Sequence, residues 1–232
     1  MGSYRCGVVI VAGGSGKRMG SATPKQFMFL DSKPILAHTI NLFAEAIKGA
    51  PIVVVLPEEQ IEYWRNLSAR FEVKAHHTVA GGKERFDSVK SGLQALFSLG
   101  EGVEFVAIHD GVRPLASPKM VVEALECAAI NGSAIPVIEA TDSFRVADES
   151  NGSHIIDRKL LRAVQTPQIF DSELLRRAYR QPYCEQFTDD ASVVEAMGES
   201  VTLCKGERSN IKITTAEDLI IAEALLTNLK RE

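Results

Sequence analysis

The chain has 232 residues, 45% of them hydrophobic, enough for one sizeable α/β domain. Lys and Arg total 26 against 30 Asp and Glu, a formal net charge of -4, so the chain lacks the positive field of a nucleic-acid binder and any anion site must be local. There is no run of about 18 apolar residues and no leader pattern ahead of the first apolar segment, so no membrane partner is expected and a cytoplasmic location is.

Residues 7–12 form a β-branched run that reads as a strand; 35–47 has helical spacing, 52–56 reads as a second strand and 60–71 as a helix. A helix over 84–97, a strand over 104–109, a helix over 118–129 and a strand over 133–137 continue the alternation. Such alternation predicts right-handed βαβ units, hence an α/β fold with a mostly parallel sheet, helices on both faces and ligands at the carboxyl ends of the strands. Between 141 and 157 the pattern changes to short strand-like pieces around Asp148-Glu149-Ser150-Asn151-Gly152-Ser153. That predicts a protruding β-hairpin arm within a single domain spanning 1–232. Helices resume over 173–179, 190–197 and 216–229, with Thr214 or Thr215 as N-cap of the last. Cys6, Cys127, Cys184 and Cys204 are far apart, lack C-x-x-C spacing and fall mostly in apolar segments, which predicts buried free thiols rather than disulfides or a zinc site.

Directly after the first strand comes Ala12-Gly13-Gly14-Ser15-Gly16-Lys17-Arg18-Met19-Gly20, followed by Pro24-Lys25-Gln26. Glycines let a backbone approach a phosphate closely with its N–H groups turned inward. A glycine stretch alone is as readily a plain turn. Here, however, Lys17, Arg18 and Lys25 gather at one strand end of an acidic protein, which suits a polyphosphate. The segment is not a P-loop, because Arg18 follows Gly16-Lys17 and the upstream glycine is missing. Nor is it a dinucleotide loop, because Met19 occupies the third glycine position and Gly20 falls one place late.

The segment instead resembles the G-x-G-x-R-M…P-K signature of nucleotidyltransferases that activate small molecules with NTPs. Further blocks follow in order: Gly81-Gly82-Lys83-Glu84-Arg85-Phe86-Asp87-Ser88-Val89, His109-Asp110-Gly111-Val112-Arg113-Pro114, Asp157-Arg158, Gln165-Thr166-Pro167-Gln168, Thr188-Asp189-Asp190-Ala191-Ser192 and Asn210-Ile211-Lys212-Ile213-Thr214. Each is weak alone; in this order and spacing, over nearly the whole chain, they resemble the 2-C-methyl-D-erythritol 4-phosphate cytidylyltransferase family. The resemblance implies a Rossmann-like nucleotidyltransferase sheet and a reaction between CTP and a phosphorylated polyol.

It also implies roles residue by residue. Ala12, Gly13, Gly14, Ser15 and Gly16 cradle the nucleotide, and Arg18 and Lys25 stabilise charge on the α-phosphate, where fixed cations are the main catalytic tool. Gly82 and Ser88 read cytosine through backbone groups and a hydroxyl, although Lys83 replaces an acidic residue frequent in the family. Asp110 holds Mg²⁺, a cation that accepts one or two carboxylates and takes its other ligands from water and phosphate. Ser143 (commonly Thr in the family) and Arg158 hold the second substrate's phosphate, Arg113 and Thr188 contact the same substrate, and Lys212 positions the attacking phosphate. A homodimer follows by resemblance, the arm of one subunit reaching the active site of the other. His109 reads as structural. Within the class, D-ribitol 5-phosphate cytidylyltransferases share the glycine loop, H-D-x-x-R-P and T-P-Q, but Asp157-Arg158 and the 188–192 block favour the methylerythritol enzymes. An NAD(P) oxidoreductase is disfavoured by the misplaced glycine. A non-catalytic nucleotide-binding module has no need of Lys25, Arg158 and Lys212 together.

Overall fold

The computed structural model describes residues 4–14, 23–100, 102–148 and 152–229. β1 (Cys6–Val11) is followed by a small hairpin, β2 (Phe29–Leu30) and β3 (Lys33–Pro34), then by α1 (Ile35–Ala46), β4 (Ile52–Leu56), α2 (Glu58–Arg70) and β5 (His77–Ala80). Next come α3 (Arg85–Ser98), β6 (Phe105–Asp110), α4 (Pro118–Asn131) and β7 (Ser133–Glu139). The remainder contains β8 (Phe144–Ala147), β9 (Ser153–Ile156), β10 (Arg162–Val164), β11 (Gln168–Asp171), α5 (Ser172–Ala178), α6 (Asp190–Glu195), β12 (Leu203–Lys205) and α7 (Ala216–Leu229).

The main sheet runs β10-β7-β11-β6-β1-β4-β5, with β12 joined to β7. β1 lies parallel between β4 and β6, and β4 pairs parallel with β5. Beyond β6 the sheet changes sense: β11 runs antiparallel to both β6 and β7, and β10 antiparallel to β7, while β12 is parallel to it. β5, β10, β11 and β12 were not expected from the sequence. They are only three or four residues long, and β5, β10 and β12 are largely exposed, so they carry no apolar run to announce them.

Successive residues of a strand point to opposite faces. Val8 and Ile10 of β1, Ile52, Val54 and Leu56 of β4 and Ala107 of β6 therefore enter one core with α1, α2 and α4. Val9, Val53, Val55, Val106 and Ile108 enter the other with α3, α5 and α6. Because both faces are covered, β1 and β4 read as unbroken apolar runs. The helix ends follow local chemistry. The Ser117 hydroxyl accepts from Met120 N at 3.0 Å and Pro118 opens the first turn of α4, while Gly132, at φ 80°, takes the left-handed position that ends it.

A third cluster packs α7, through Ala222, Leu219, Leu225 and Leu226, against Leu30, Ile35, Val112, Leu115 and Ile213. Of the two candidate caps Thr215 is the one whose hydroxyl accepts from Asp218 N, at 3.3 Å; the Asp218 carboxylate in turn accepts from Thr214 N and Thr215 N.

After β7 the chain leaves the sheet. β8 and β9 pair antiparallel with each other, Phe144 opposite Ile156 and Ala147 opposite Ser153, and belong to a separate two-stranded sheet with Phe144, Val146 and Ile155 exposed. The expectation of buried thiols holds for Cys6 but not throughout: Cys127 and Cys204 are half-buried, and Cys184 is exposed because the segment between α5 and α6 packs little apolar surface there. No helix among the described residues is long and apolar enough to cross a membrane.

The contact of α3 with the sheet depends on Gly92. An alanine inside a helix ordinarily adds about 1 kcal/mol relative to glycine. A Cβ at Gly92, however, would stand 2.5 Å from Val9 Cγ1 and 2.8 Å from Val55 Cγ2, and overpacking of this kind costs about 1–3 kcal/mol. Gly92→Ala is therefore expected to lower stability in chemical denaturation by about 1 kcal/mol net. A stabilised variant would show that α3 lifts from β1 and β4 without loss.

Candidate active site

Strand register brings the chemistry together. Val11 lies beside Val55 and Asp110, and Leu56 beside Ala80, so the segments that follow these strands arrive at one edge of the sheet. Ala12, Gly13, Gly14, Pro57, Gly81, Gly82 and Asp110 line a cleft of about 290 Å³ there, joined by Lys25, Ser88 and Lys212. This is the carboxyl edge, where open α/β sheets place their ligands.

Lys25 sits on a single 3-10 turn, Lys25–Phe27, and is only 9% exposed. Two anchors fix that turn. The Phe27 ring is buried and stacks on Trp64 of α2, centroids 5.8 Å apart at 13°, and Gln26 Nε2 donates to Gln60 Oε1 at 2.7 Å. The Lys25 stem runs beneath the glycine loop so closely that a Cβ on Gly14 would lie 3.1 Å from Lys25 Cε. Gly14 thus leaves room for a lysine held nearly buried.

Asp110 ends β6 and is itself buried. Its Oδ2 accepts from Arg113 Nε at 3.1 Å and faces Lys212 Nζ at 3.1 Å. Burial alone would raise the carboxyl, but Lys212, Arg85 and Arg113 outweigh it and hold Asp110 well below the usual carboxylate range. Arg113 is fixed in its turn, its Nη1 donating to Asn210 O at 2.9 Å. Beneath them His109 is fully buried. Its Nε2 lies 3.1 Å from the Arg113 carbonyl, which can only accept, so the neutral ring donates from Nε2 and its Nδ1 accepts from the Thr166 hydroxyl at 3.0 Å. Thr166 Oγ1 also accepts from Asp110 N at 3.1 Å. Burial lowers the His109 pKa to about 4, so the ring is neutral at pH 7. His109 is a buried brace for the Asp110 turn.

The opposite wall is the 81–84 segment. Gly82 N donates to Ser88 Oγ at 3.2 Å, and Ser88 Oγ donates to the Glu84 carbonyl at 3.1 Å, while Glu84 and Asp87 form a reciprocal cap at the start of α3. The Ser88 hydroxyl therefore shapes the wall as well as lining the cleft.

Among the sequence-derived candidates, Ala12, Gly13, Gly14, Lys25, Gly82, Ser88, Asp110 and Lys212 come together in the cleft. Ser15, Gly16 and Arg18 lie outside the described residues. Arg113 does not line the cleft; it stands behind Asp110. Ser143, Arg158 and Thr188 are exposed and do not line it either; Arg158 Nη1 donates to the Thr141 carbonyl at 2.7 Å at the base of the hairpin. Several cleft residues had received no role from sequence, among them Arg85, which pairs with Asp190. Both stand in motif blocks, but 105 residues separate them and no local pattern links them.

A mostly parallel sheet whose glycine-turned first strand, buried lysine and cation-held carboxylate converge at the carboxyl edge defines a nucleotidyltransferase. The model of the family IspD, 2-C-methyl-D-erythritol 4-phosphate cytidylyltransferase, matches residues 6–228, and the chain belongs to that family of cytidylyltransferase enzymes. It is 47% identical over 219 residues to the 2-C-methyl-D-erythritol 4-phosphate cytidylyltransferase of Bacteroides fragilis, covering 94% of this chain and 98% of the relative. The enzyme of the same name from Porphyromonas gingivalis is 46% identical over 222 residues, covering 95% and 97%. Among solved structures, 4-diphosphocytidyl-2C-methyl-D-erythritol synthase from Anaerococcus prevotii superposes with a TM-score of 0.81 at 27% identity, covering 97% of this chain and 100% of that one.

Thr166→Val keeps the side-chain shape but deprives Asp110 N and His109 Nδ1 of their shared partner. Each buried orphan costs about 1–3 kcal/mol, so a stability loss of roughly 2–6 kcal/mol is expected in chemical denaturation. Unchanged stability would mean that the hydroxyl does not hold the Asp110 turn.

Proposed function

We propose that the chain transfers CMP from CTP to 2-C-methyl-D-erythritol 4-phosphate, giving 4-(cytidine 5'-diphospho)-2-C-methyl-D-erythritol and pyrophosphate, in isoprenoid precursor synthesis. The observation that carries this is the convergence of Lys25, Asp110 and Lys212 in one cleft opposite a wall of glycine backbone. A phosphate monoester has a second pKa of about 6 and is largely dianionic at neutral pH, so its oxygen attacks the α-phosphorus of CTP without a general base. The new P–O bond forms in line as the bond to the β-phosphate breaks, and pyrophosphate leaves with the electron pair. The protein's task is to hold two polyanions together against their repulsion.

Roles follow from charge and reach. Ala12, Gly13, Gly14, Ser15 and Gly16 would receive the triphosphate, Arg18 and Lys25 the charge on the α-phosphate, and Gly82 and Ser88 the base. Lys212, Arg158 and Arg113, with the hydroxyls of Ser143 and Thr188, would serve the second substrate's phosphate; a guanidinium fork suits a dianion bidentately. Asp110 fits Mg²⁺: it is a carboxylate held ionised in the cleft, its two cationic partners both meet Oδ2, and a hard ion needs few protein ligands beside phosphate oxygens. When bound there, Mg²⁺ supplies charge neutralisation at the phosphates. Free cysteines and a cytosolic nucleotide substrate are in keeping with a cytoplasmic enzyme.

Ser143 and Arg158 stand off the cleft of their own chain, on or beside a hairpin that exposes Phe144, Val146 and Ile155. A two-stranded hairpin is marginal alone and needs a surface to pack on. We therefore infer a homodimer in which the arm carries Arg158 to the other subunit's site.

Pyrophosphate release from CTP, with methylerythritol phosphate and ribitol phosphate offered separately, tests the reaction; release with the first and not the second is expected. Lys25→Ala should lower turnover by roughly 10²–10³ in a folded protein. Near-normal turnover would remove Lys25 from the chemistry. Asp110→Asn should shift the Mg²⁺ titration to higher concentration with partial recovery at high Mg²⁺, whereas an unchanged titration would leave Asp110 a turn residue. For the dimer, co-expressed Lys25→Ala and Arg158→Ala chains should recover about a quarter of wild-type activity, since random mixing makes about half the dimers mixed, each with one intact site. Verified mixed dimers without recovery would disprove the shared site.

A further inference from the structure

The wall of the cleft at 81–84 is largely backbone, and a backbone wall distinguishes ligands only as sharply as its groups are held in place. At its first residue Gly81 N donates to the Leu56 carbonyl at the end of β4 at 2.8 Å; beyond Gly81 its hydrogen bonds, Gly82 N to Ser88 Oγ and the reciprocal cap of Glu84 and Asp87, go to the start of α3. Phe86 and Val89 pack that end of α3 into the core, and its polar tie across the molecule is Arg85, its first residue. Arg85 Nη1 donates to Asp190 Oδ1 at 2.9 Å and Nη2 to Asp190 Oδ2 at 2.6 Å, a two-point fork onto a carboxylate that is 0% exposed.

Asp190 is fixed from the far side. Tyr179 Oη donates to Asp190 Oδ1 at 2.5 Å, and the Tyr179 ring stacks on Phe86, the residue after Arg85, with centroids 4.9 Å apart at 19°. The neighbouring Asp189 caps α6 by accepting from Ser192 N and accepts from Gln168 Nε2 at 2.8 Å, while Gln168 Oε1 accepts from Ala191 N at 2.9 Å. Gln168 lies in β11 and is fully buried. An unbroken series of charged and polar contacts thus runs from the central sheet through Gln168, the start of α6 and Asp190 to Arg85 and the cleft wall.

We propose that Arg85 is a positioning residue for nucleotide-base discrimination: anchored by Asp190 and Tyr179, it sets the 81–84 wall at a fixed distance from the Ala12–Gly14 strand end. The proposal rests on the cleft accepting CTP. Arg85 is not assigned a contact with the reacting phosphates; its guanidinium edges are spent on Asp190, and its effect on the base passes through the loop. A lysine at position 85 keeps the charge but makes one contact where the fork makes two. Tyr179→Phe removes a single hydrogen bond and keeps the stack on Phe86. Truncating the buried Asp190 would leave Arg85 without its partner and endanger folding, so the test uses the first two variants.

Two measurements separate the proposal from the function on which it rests. In protein without nucleotide, hydrogen–deuterium exchange should be faster over 81–88 in Arg85→Lys, the Gly82 amide included, with a smaller effect in Tyr179→Phe and none at the Lys25 turn. In turnover assays Arg85→Lys should raise KM for CTP on the order of tenfold with kcat within about threefold, and should narrow the preference for CTP over UTP by a similar factor, leaving KM for the second substrate unchanged. A wild-type protein that does not turn over CTP would overturn the function. Unchanged exchange over 81–88 would overturn the positioning role whatever the substrate. A folded Arg85→Lys protein that loses kcat while keeping its CTP KM and base preference would do so as well, since Arg85 would then act on the reacting phosphates.

Discussion

The carboxylate of Asp110 stands at the end of a strand whose side chains are otherwise withdrawn from water, and it is kept ionised there by cations delivered from elsewhere in the chain. A charge in such a place is costly unless paired, and removing one partner from a buried pair typically destabilises by several kcal/mol. Lys212 and Arg113 supply the pairing, and both depend on distant support. Arg113 is held by the Asn210 carbonyl, and the turn that carries Asp110 is braced by Thr166 and by a His109 ring that burial keeps neutral. The carboxyl-edge cleft is organised around this one constraint. It brings the 210–212 segment across the end of β6, and α7 packs against the neighbouring Val112, Leu115 and Ile213.

The cations on the other side of the cleft are held by apolar packing. Lys25 owes its place to Phe27, buried against Trp64, and to the bond between Gln26 and Gln60, so α2 fixes the lysine without touching the cleft through any charge of its own. The backbone wall at 81–84 is tied to the sheet at its start by Gly81 N on the Leu56 carbonyl, and through α3 by Arg85, Asp190 and Gln168. Groups that must meet a transition state within tenths of an ångström are best mounted on rigid elements, with side-chain contacts behind them. Both sides of this cleft are built in that way.

Charge is partitioned with the same economy. The molecule as a whole is acidic, which keeps it from polyanions at large, while Lys25 and Lys212 converge on one small volume at the carboxyl edge. The hairpin of β8 and β9 carries an apolar surface away from this centre, with Arg158 bound at its base. Its separation from the cleft of its own chain is the observation on which the proposed homodimer rests.

Sequence by itself determined the strand–helix alternation of the first half, because β1, β4 and the first four residues of β6 are covered on both faces and so appear as apolar runs. It also singled out the glycine loop with Lys25, because glycine and cation together at a strand end suit a phosphate, while Asp110 and Lys212 were picked out by the order of motif blocks that points to one family. It did not reveal β5, β10, β11 or β12, which are short and take their strand geometry from neighbours already in place. Nor did it show that Arg113 turns back onto Asp110, that His109 is tied to Thr166, or that Arg85 grips Asp190 across 105 residues. Those pairings leave no periodic trace in the chain. They come about only when parallel strands bring their carboxyl ends to one edge, because a buried charge or ring nitrogen takes whichever partner the folded chain sets within hydrogen-bonding distance.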